Sequence, residues 1–369
     1  MTAKMNVGLF FGGRSGEHEV SLMSARSVLN ELDKEKYEVI QVGITKDGRW
    51  LHGNDALNAF ESNDLKRLAE VALLPDPGKQ GLYQWSGEGA FEPLVDIDVA
   101  FPVLHGTFGE DGTLQGMFEL AELPYVGAGV LASSVAMDKG LFKDVMRGNG
   151  IPVVDWVVLG ASQFDEELEP ALERAERIGS YPLFTKPANM GSSVGIMRCE
   201  SRSDLIEGLK EAAQFDRRVI VERGVEAREI EVSVLGNDTP EASVPGEIVP
   251  SDSFYSYEAK YIDDASELII PAKLDPALSE RTRGMAIAAY KAIDGAGMAR
   301  IDFLLDRENG DLFINEINTI PGFTKISMYP KLWEASGLMY SALLDRLIEL
   351  AFERAAQKSS LVRSFGGEV

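Results

Sequence analysis

FINEINTIPG, residues 313–322, places a carboxylate and an amide, Glu316 and Asn318, inside a stretch that otherwise reads as a β-strand. Strand residues two apart share a face, so both side chains point the same way. That face is either bathed in water or holds something charged. The preceding stretch ARIDFLLD (299–306) also reads as a strand, and Arg307-Glu308-Asn309-Gly310 between them is a hairpin signal. A two-residue Asn-Gly loop would set Asp302 opposite Ile317, away from Glu316. A three-residue loop with a left-handed Gly310 sets Asp302 opposite Glu316 and Arg300 opposite Asn318. The second register also pairs Ile301 with Ile317 and Leu305 with Phe313 on the reverse face, a consistent apolar layer, and is preferred. One face then carries Arg300, Asp302, Glu316 and Asn318, with Leu304 and Ile314 along the same rows suggesting that it is half-buried. Facing acids repel, so something must offset them. Two carboxylates and an amide oxygen make a hard, all-oxygen set suited to magnesium bridging nucleotide phosphates.

The bulk composition agrees with this reading. The 369 residues are too many for one compact core, so two or three domains are expected. A net charge of −23 argues against a nucleic-acid partner, although local lysines can reverse the field for a small anion. Three separated histidines, His18, His52 and His105, and one cysteine, Cys199, make a zinc cluster improbable and a disulfide framework impossible. No run approaches a membrane span, and MTAKMNVGLFFGG lacks the features of a signal peptide. A cytoplasmic protein without a membrane partner is expected.

Along the chain, residues 1–135 alternate strand and helix patterns: VGLFF, a helix from Glu17, YEVIQVGI, DVAFPVLHG and PYVGAG. Such alternation predicts a parallel α/β sheet covered by helices. Residues 136–228 read as an α+β domain with short antiparallel strands. Residues 229–369 carry EIEVSVLG, the acidic strand pair and a C-terminal helix from about Tyr340.

Two glycine-containing loops stand out. In LFTKPANMGSSVGIM (183–197), a strand ends at Lys186-Pro187, and Gly191-Ser192-Ser193 precedes the next strand. Glycine lets an anion approach the backbone, and serine N–H and O–H groups can cradle phosphate oxygens. The loop leads into a strand and lacks the Walker pattern. Near the N-terminus, GLFFGGRSGEHEV has no G-x-G-x-x-G, which disfavours a nicotinamide cofactor. Glu17 there either complements a helix dipole or faces a ligand at the carboxyl edge of the sheet.

Together with GGRSGEHEVSLMSA (12–25), HGTFGEDGTLQGMFEL (105–120), MDKGLFK (137–143), KPANMGSSVG (186–195), VERGVEAREIEV (221–232), FYSYEAKY (254–261), ARID (299–302) and NEINTIPGFTKISMYPKLW (315–333), the chain resembles the D-alanine–D-alanine ligase family of the ATP-grasp superfamily. The stretch 46–93 matches weakly and reads as an elaboration of the N-terminal domain. The resemblance implies a three-domain ATP-grasp fold with ATP between two antiparallel sheets. It implies ligation of two D-alanines through a D-alanyl phosphate, for the peptidoglycan precursors that build the cell wall and set cell shape. Another ATP-grasp carboxylate–amine ligase, or a D-alanine–D-lactate ligase, is the alternative.

By the same resemblance, Lys139, Lys186, Ser192 and Ser193 would meet the ATP phosphates. Glu222 and Val225 would meet the adenine, Glu229 the ribose, and Lys260 the nucleotide from its loop. Asp302, Glu316 and Asn318 would hold two Mg2+ (or Mn2+) ions, relieving the repulsion of the facing acids. Glu17 would bind the ammonium of the first D-alanine. Arg300 and the Gly322 N–H would serve the tetrahedral oxyanion, and Ser327 the second carboxylate. Glu17, Ser192 and Tyr261 would pin the mobile loop, with Tyr261 favouring the dipeptide over the ester. His105 would sit near the substrates, and the family suggests a homodimer.

Overall fold

A computed structural model describes residues 4–87, 89–162, 164, 167–191, 194–249, 267–324 and 326–362. Its strands, all among described residues, form three sheets. The first runs β6-β5-β4-β3-β2-β1-β7, with β1 Met5–Gly12, β2 Tyr37–Ile44 and β7 Val99–Pro102 parallel. Both faces of β1 are covered: Val7, Leu9 and Phe11 enter one apolar cluster and Phe10 the other. That double burial explains the unbroken apolar run VGLFF where a one-sided strand would alternate.

The expected parallel sheet is extended at one edge. β3 Trp50–His52, β4 Ala69–Leu73, β5 Gly81–Trp85 and β6 Phe91–Asp96 add four antiparallel strands to its edge. These strands are the weakly matching stretch. Short loops join β4 to β5 and β5 to β6, as antiparallel pairing permits, while a longer segment with helix Ala56–Glu61 joins β3 to β4.

The second sheet, β10-β9-β11-β8, is antiparallel as expected, from β8 Trp156–Gly160, β9 Leu183–Pro187, β10 Met197–Cys199 and β11 Arg218–Arg223. Helices Leu168–Glu176 and Arg202–Ala212 pack their apolar stripes on one face. Cys199 is buried in that layer, and burial pushes its thiol up to about 11, so it is not a nucleophile.

The third sheet centres on β12 Ala227–Leu235, β16 Met298–Asp306 and β17 Leu312–Asn318, with β13 Glu241–Ala242, β14 Gly246–Val249 and β15 Glu267–Ile269 outside β12. Helices Val130–Met137 and Pro276–Ala292 cover its apolar face through Ile230, Val232, Ile301, Phe303 and Ile317. The opposite face is left for polar residues.

The hairpin register holds at the acidic end and changes at the loop end. Arg300 lies opposite Asn318 and Asp302 opposite Glu316, but a bulge follows, after which Phe303 pairs with Ile314 and Leu305 with Leu312. The loop therefore has four residues, closed by Asp306 N donating to Asp311 O (2.8 Å), with Gly310 at φ +75°. The extra loop residue and the extra bulge residue, Asn315, offset each other. Ile314 thereby turns into the core and Phe313 joins Leu304 on the polar face, the reverse of the expected arrangement.

Candidate functional site

A cavity of about 720 Å³ opens where the three sheets approach one another. Its wall includes Glu17, His105, Lys139, Lys186, Glu222, Val225, Glu229, Arg300, Asp302, Glu316, Asn318, Gly322 and Ser327, so every described residue singled out from the sequence lines it. Ser192, Ser193, Lys260 and Tyr261 lie outside the described residues.

Lysines form one end. Lys186 leaves β9 and reaches Glu222 Oε2 on β11 at 2.6 Å, while Lys143 reaches Glu222 Oε1 at 3.0 Å. Burial alone would push the Glu222 carboxyl up; Lys143 and Lys186 more than reverse this and hold it at about 2. Burial pushes the Lys143 ammonium down, with Glu222 opposing. Lys139 starts helix Lys139–Gly148 and donates through Nζ to the carbonyl of Met190, the residue before Gly191, at 2.6 Å.

The polar face of the third sheet forms the floor. Arg300 grips Asp302 with two hydrogen bonds, Nε to Oδ1 and Nη2 to Oδ2, each 2.7 Å. Its Nε also stands 3.1 Å from Glu231 Oε2, and Asn318 donates to Asp302 Oδ2 at 3.0 Å. Among the described residues no group of three or more His, Cys, Asp or Glu is arranged to hold a metal ion. Asp302, Glu316 and the Asn318 amide still present oxygen donors of the kind magnesium prefers, from two adjacent strands of one face. The donor chemistry fits.

The opposite end carries carboxylates. Glu17, just before helix His18–Glu31, sets Oε2 against Gly106, where φ is +74° and no Cβ would fit. A Cβ at Gly191, the residue before Ser192, would come within 2.8 Å of the same oxygen. Ser327 Oγ lies within 3.0 Å of the Thr324 N–H and would be 2.7 Å from a Cβ at Gly322. His105 is buried; its Nδ1 meets the Ile320 carbonyl at 3.0 Å and its Nε2 the Ser24 hydroxyl at 2.9 Å. Burial holds the imidazole at about 4, so it is neutral at pH 7; the Ile320 carbonyl opposes the shift and the Arg300 charge adds to it.

Three wall or near-wall residues escaped the sequence reading. Glu110 accepts backbone N–H groups from Gly106 (2.6 Å) and Ile320 (3.2 Å); desolvation, then the charge of Glu17, push its carboxyl above the usual range. Glu231 sits two residues after Glu229 on β12, a spacing that puts both on one face and could have flagged it. Lys143 is one helical turn after Lys139, again a legible i, i+4 pair.

Comparison with known proteins gives the family. Residues 6–128 match the family model for the D-ala D-ala ligase N-terminus, and residues 145–349 match that for the C-terminus. The chain is 52% identical over 358 residues to a D-alanine–D-alanine ligase of Thermoanaerobacter sp. (strain X514), covering 96% of this chain and 98% of that one. It is 47% identical to one from Natranaerobius thermophilus, covering 96% and 97%. Among solved structures, the D-alanine-D-alanine ligase from Coxiella burnetii superposes with TM-score 0.84 at 38% identity, covering 98% of this chain and 97% of that one. VanG D-Ala:D-Ser ligase from Enterococcus faecalis gives TM-score 0.84 at 35%, covering 95% and 100%.

Proposed function

The chain belongs to the D-alanine–D-alanine ligase family, and from that premise we propose how its cavity joins two D-alanines with ATP as the energy source. The fold is ATP-grasp, and the protein is an ATP-dependent ligase of peptidoglycan synthesis. The observation that carries the site assignment is that all thirteen described residues the sequence singled out line one cavity. We take 1–135 as the N-terminal domain and 136–228 and 229–369 as the two halves of the nucleotide clamp. A homodimer in the cytoplasm is the assembly and place this reading favours. No helix among the described residues is long and apolar enough to cross a membrane.

ATP lies between the second and third sheets in this reading. Lys139 and Lys186 meet its phosphates, Glu222 and Val225 its base, and Glu229 its ribose. Asp302, Glu316 and Asn318 would hold two divalent cations, Mg2+ or Mn2+, which supply positive charge against the triphosphate. Glu17 takes the ammonium of the first D-alanine and aims its carboxylate at the γ-phosphorus. A carboxylate oxygen bonds to that phosphorus and ADP departs. The amine of the second D-alanine, whose carboxylate Ser327 holds, then attacks the acyl carbon and loses a proton. Arg300 and the Gly322 N–H receive the developing oxyanion, where prearranged donors are most effective. Phosphate leaves and the peptide bond remains. Ser192, Ser193, Lys260 and Tyr261 complete the site from segments outside the described residues.

Release of ADP from ATP with magnesium tests this directly. ADP is expected with D-alanine and not with L-alanine, with the dipeptide visible by mass spectrometry. ADP and a mixed product only when D-lactate or D-serine is added would overturn the acceptor. Asp302→Ala or Glu316→Ala should abolish turnover with the circular dichroism unchanged; unfolding instead would make those acids structural.

A further inference from the structure

Ile320 is held at both its backbone N–H and its carbonyl by side chains from a distant part of the chain. Glu110 Oε1 accepts its N–H at 3.2 Å, and His105 Nδ1 stands 3.0 Å from its carbonyl oxygen. A carbonyl only accepts, so Nδ1 carries the imidazole proton and Nε2 accepts from the Ser24 hydroxyl, 2.9 Å away. Ser24 Oγ in turn accepts the Phe323 N–H at 3.4 Å. The second Glu110 oxygen is committed to the Gly106 N–H at 2.6 Å, which ties it to the loop carrying His105.

Gly322 lies between the two anchored residues. It has no side chain with which to fix its own orientation, so its N–H points where Ile320 and Phe323 let it. Behind it, Ser327 Oγ is held by the Thr324 N–H at 3.0 Å and its hydroxyl at 2.7 Å, which closes the turn. We propose that Glu110, together with Ser24 acting through His105, is a positioning residue that aims the Gly322 N–H at the tetrahedral oxyanion. This rests on the reading of Gly322 given above. Neither Glu110 nor Ser24 touches the reacting atoms in this account. Their effect comes through backbone placed to a fraction of an ångström, where small misplacement is costly.

Glu110→Gln is the informative change. Glutamine keeps the volume but offers one acceptor oxygen, so its amide N–H confronts either Gly106 N–H or Ile320 N–H. The readout is affinity for a dipeptide analogue with a tetrahedral phosphinate at the reacting carbon, compared with KM for ATP and D-alanine. For Glu110→Gln we expect kcat and analogue affinity to fall together, on the order of tenfold, with KM for ATP unchanged. Ser24→Ala should move the same two quantities in the same direction and serves alone if the first variant does not fold. A lowered melting temperature with kcat and analogue affinity intact would overturn the proposal and leave a plain structural strut. Wild-type protein that binds the phosphinate no more tightly than D-alanine would overturn the oxyanion reading of Gly322, and this is read without any variant.

Discussion

Glu222 is the residue on which the lysine end of the cavity depends. One carboxylate serves two ammonium groups, Lys143 at 3.0 Å and Lys186 at 2.6 Å, and both it and Lys143 are buried. Removing the carboxylate leaves the buried Lys143 and half-buried Lys186 ammonium groups facing each other, whereas removing Lys143 leaves an intact pair. Breaking a buried pair by deleting one charge costs roughly 3 kcal/mol or more, while a buried ammonium carries a desolvation penalty of its own. Glu222→Gln should therefore lower the urea midpoint far more than Lys143→Met. The reverse order would mean that Lys143 is held by its packing, including the Trp156 ring 5.9 Å away, and not by charge. The same logic explains why the sequence left Lys143 unremarked. Its helical spacing from Lys139 was legible, but the carboxylate that meets it comes from β11, and no local pattern encodes that meeting.

At the scale of the element, the β16–β17 hairpin marks how far sequence reasoning reaches. The alternation of Arg300, Asp302 and Glu316, Asn318 placed all four on one face, because period two is a property of the strand itself. The pairing of Asp302 with Glu316 followed from requiring the apolar residues to share the other face. The loop was read one residue too short, since the bulge at Asn315 cancels the difference at the acidic end and so hides it. Bulges depend on tertiary twist, and the sequence pattern around Asn315 carries no glycine or proline to announce one. Gly310 was legible as the left-handed residue, and it does sit at φ +75°, with nothing within 4 Å of where a Cβ would stand. Gly310→Ala should consequently cost about 1 kcal/mol of stability through backbone conformation alone, with ligase turnover unchanged. Lost turnover at unchanged stability would show that this loop reaches the site.

Across the whole molecule, the site exists only because remote segments are pinned together. Helix Tyr340–Ser359 returns to the first sheet, where Leu343, Leu347 and Ile348 join Val7, Leu9 and Phe101 in one core. His105 and Glu110 then fasten the loop after β7 to Ile320, residues more than two hundred positions later. His105 makes that fastening sensitive to acid. Its imidazole is neutral when folded because burial holds it at about 4, whereas in the unfolded chain it titrates near 6.5. The sign follows from linkage: below the unfolded value the unfolded chain binds a proton that the folded one refuses, so stability is lost as pH falls from about 6.5 to about 4. The gap corresponds to about 3 kcal/mol once both forms are protonated. His105→Asn removes this titration along with the hydrogen bonds. Wild type should exceed the variant in unfolding free energy at pH 7, and the difference should shrink by about that amount by pH 4. Urea denaturation of both proteins at half-unit intervals measures it. A difference that stays constant with pH would mean that the folded imidazole takes up its proton as readily as the unfolded one, so that burial does not hold it neutral.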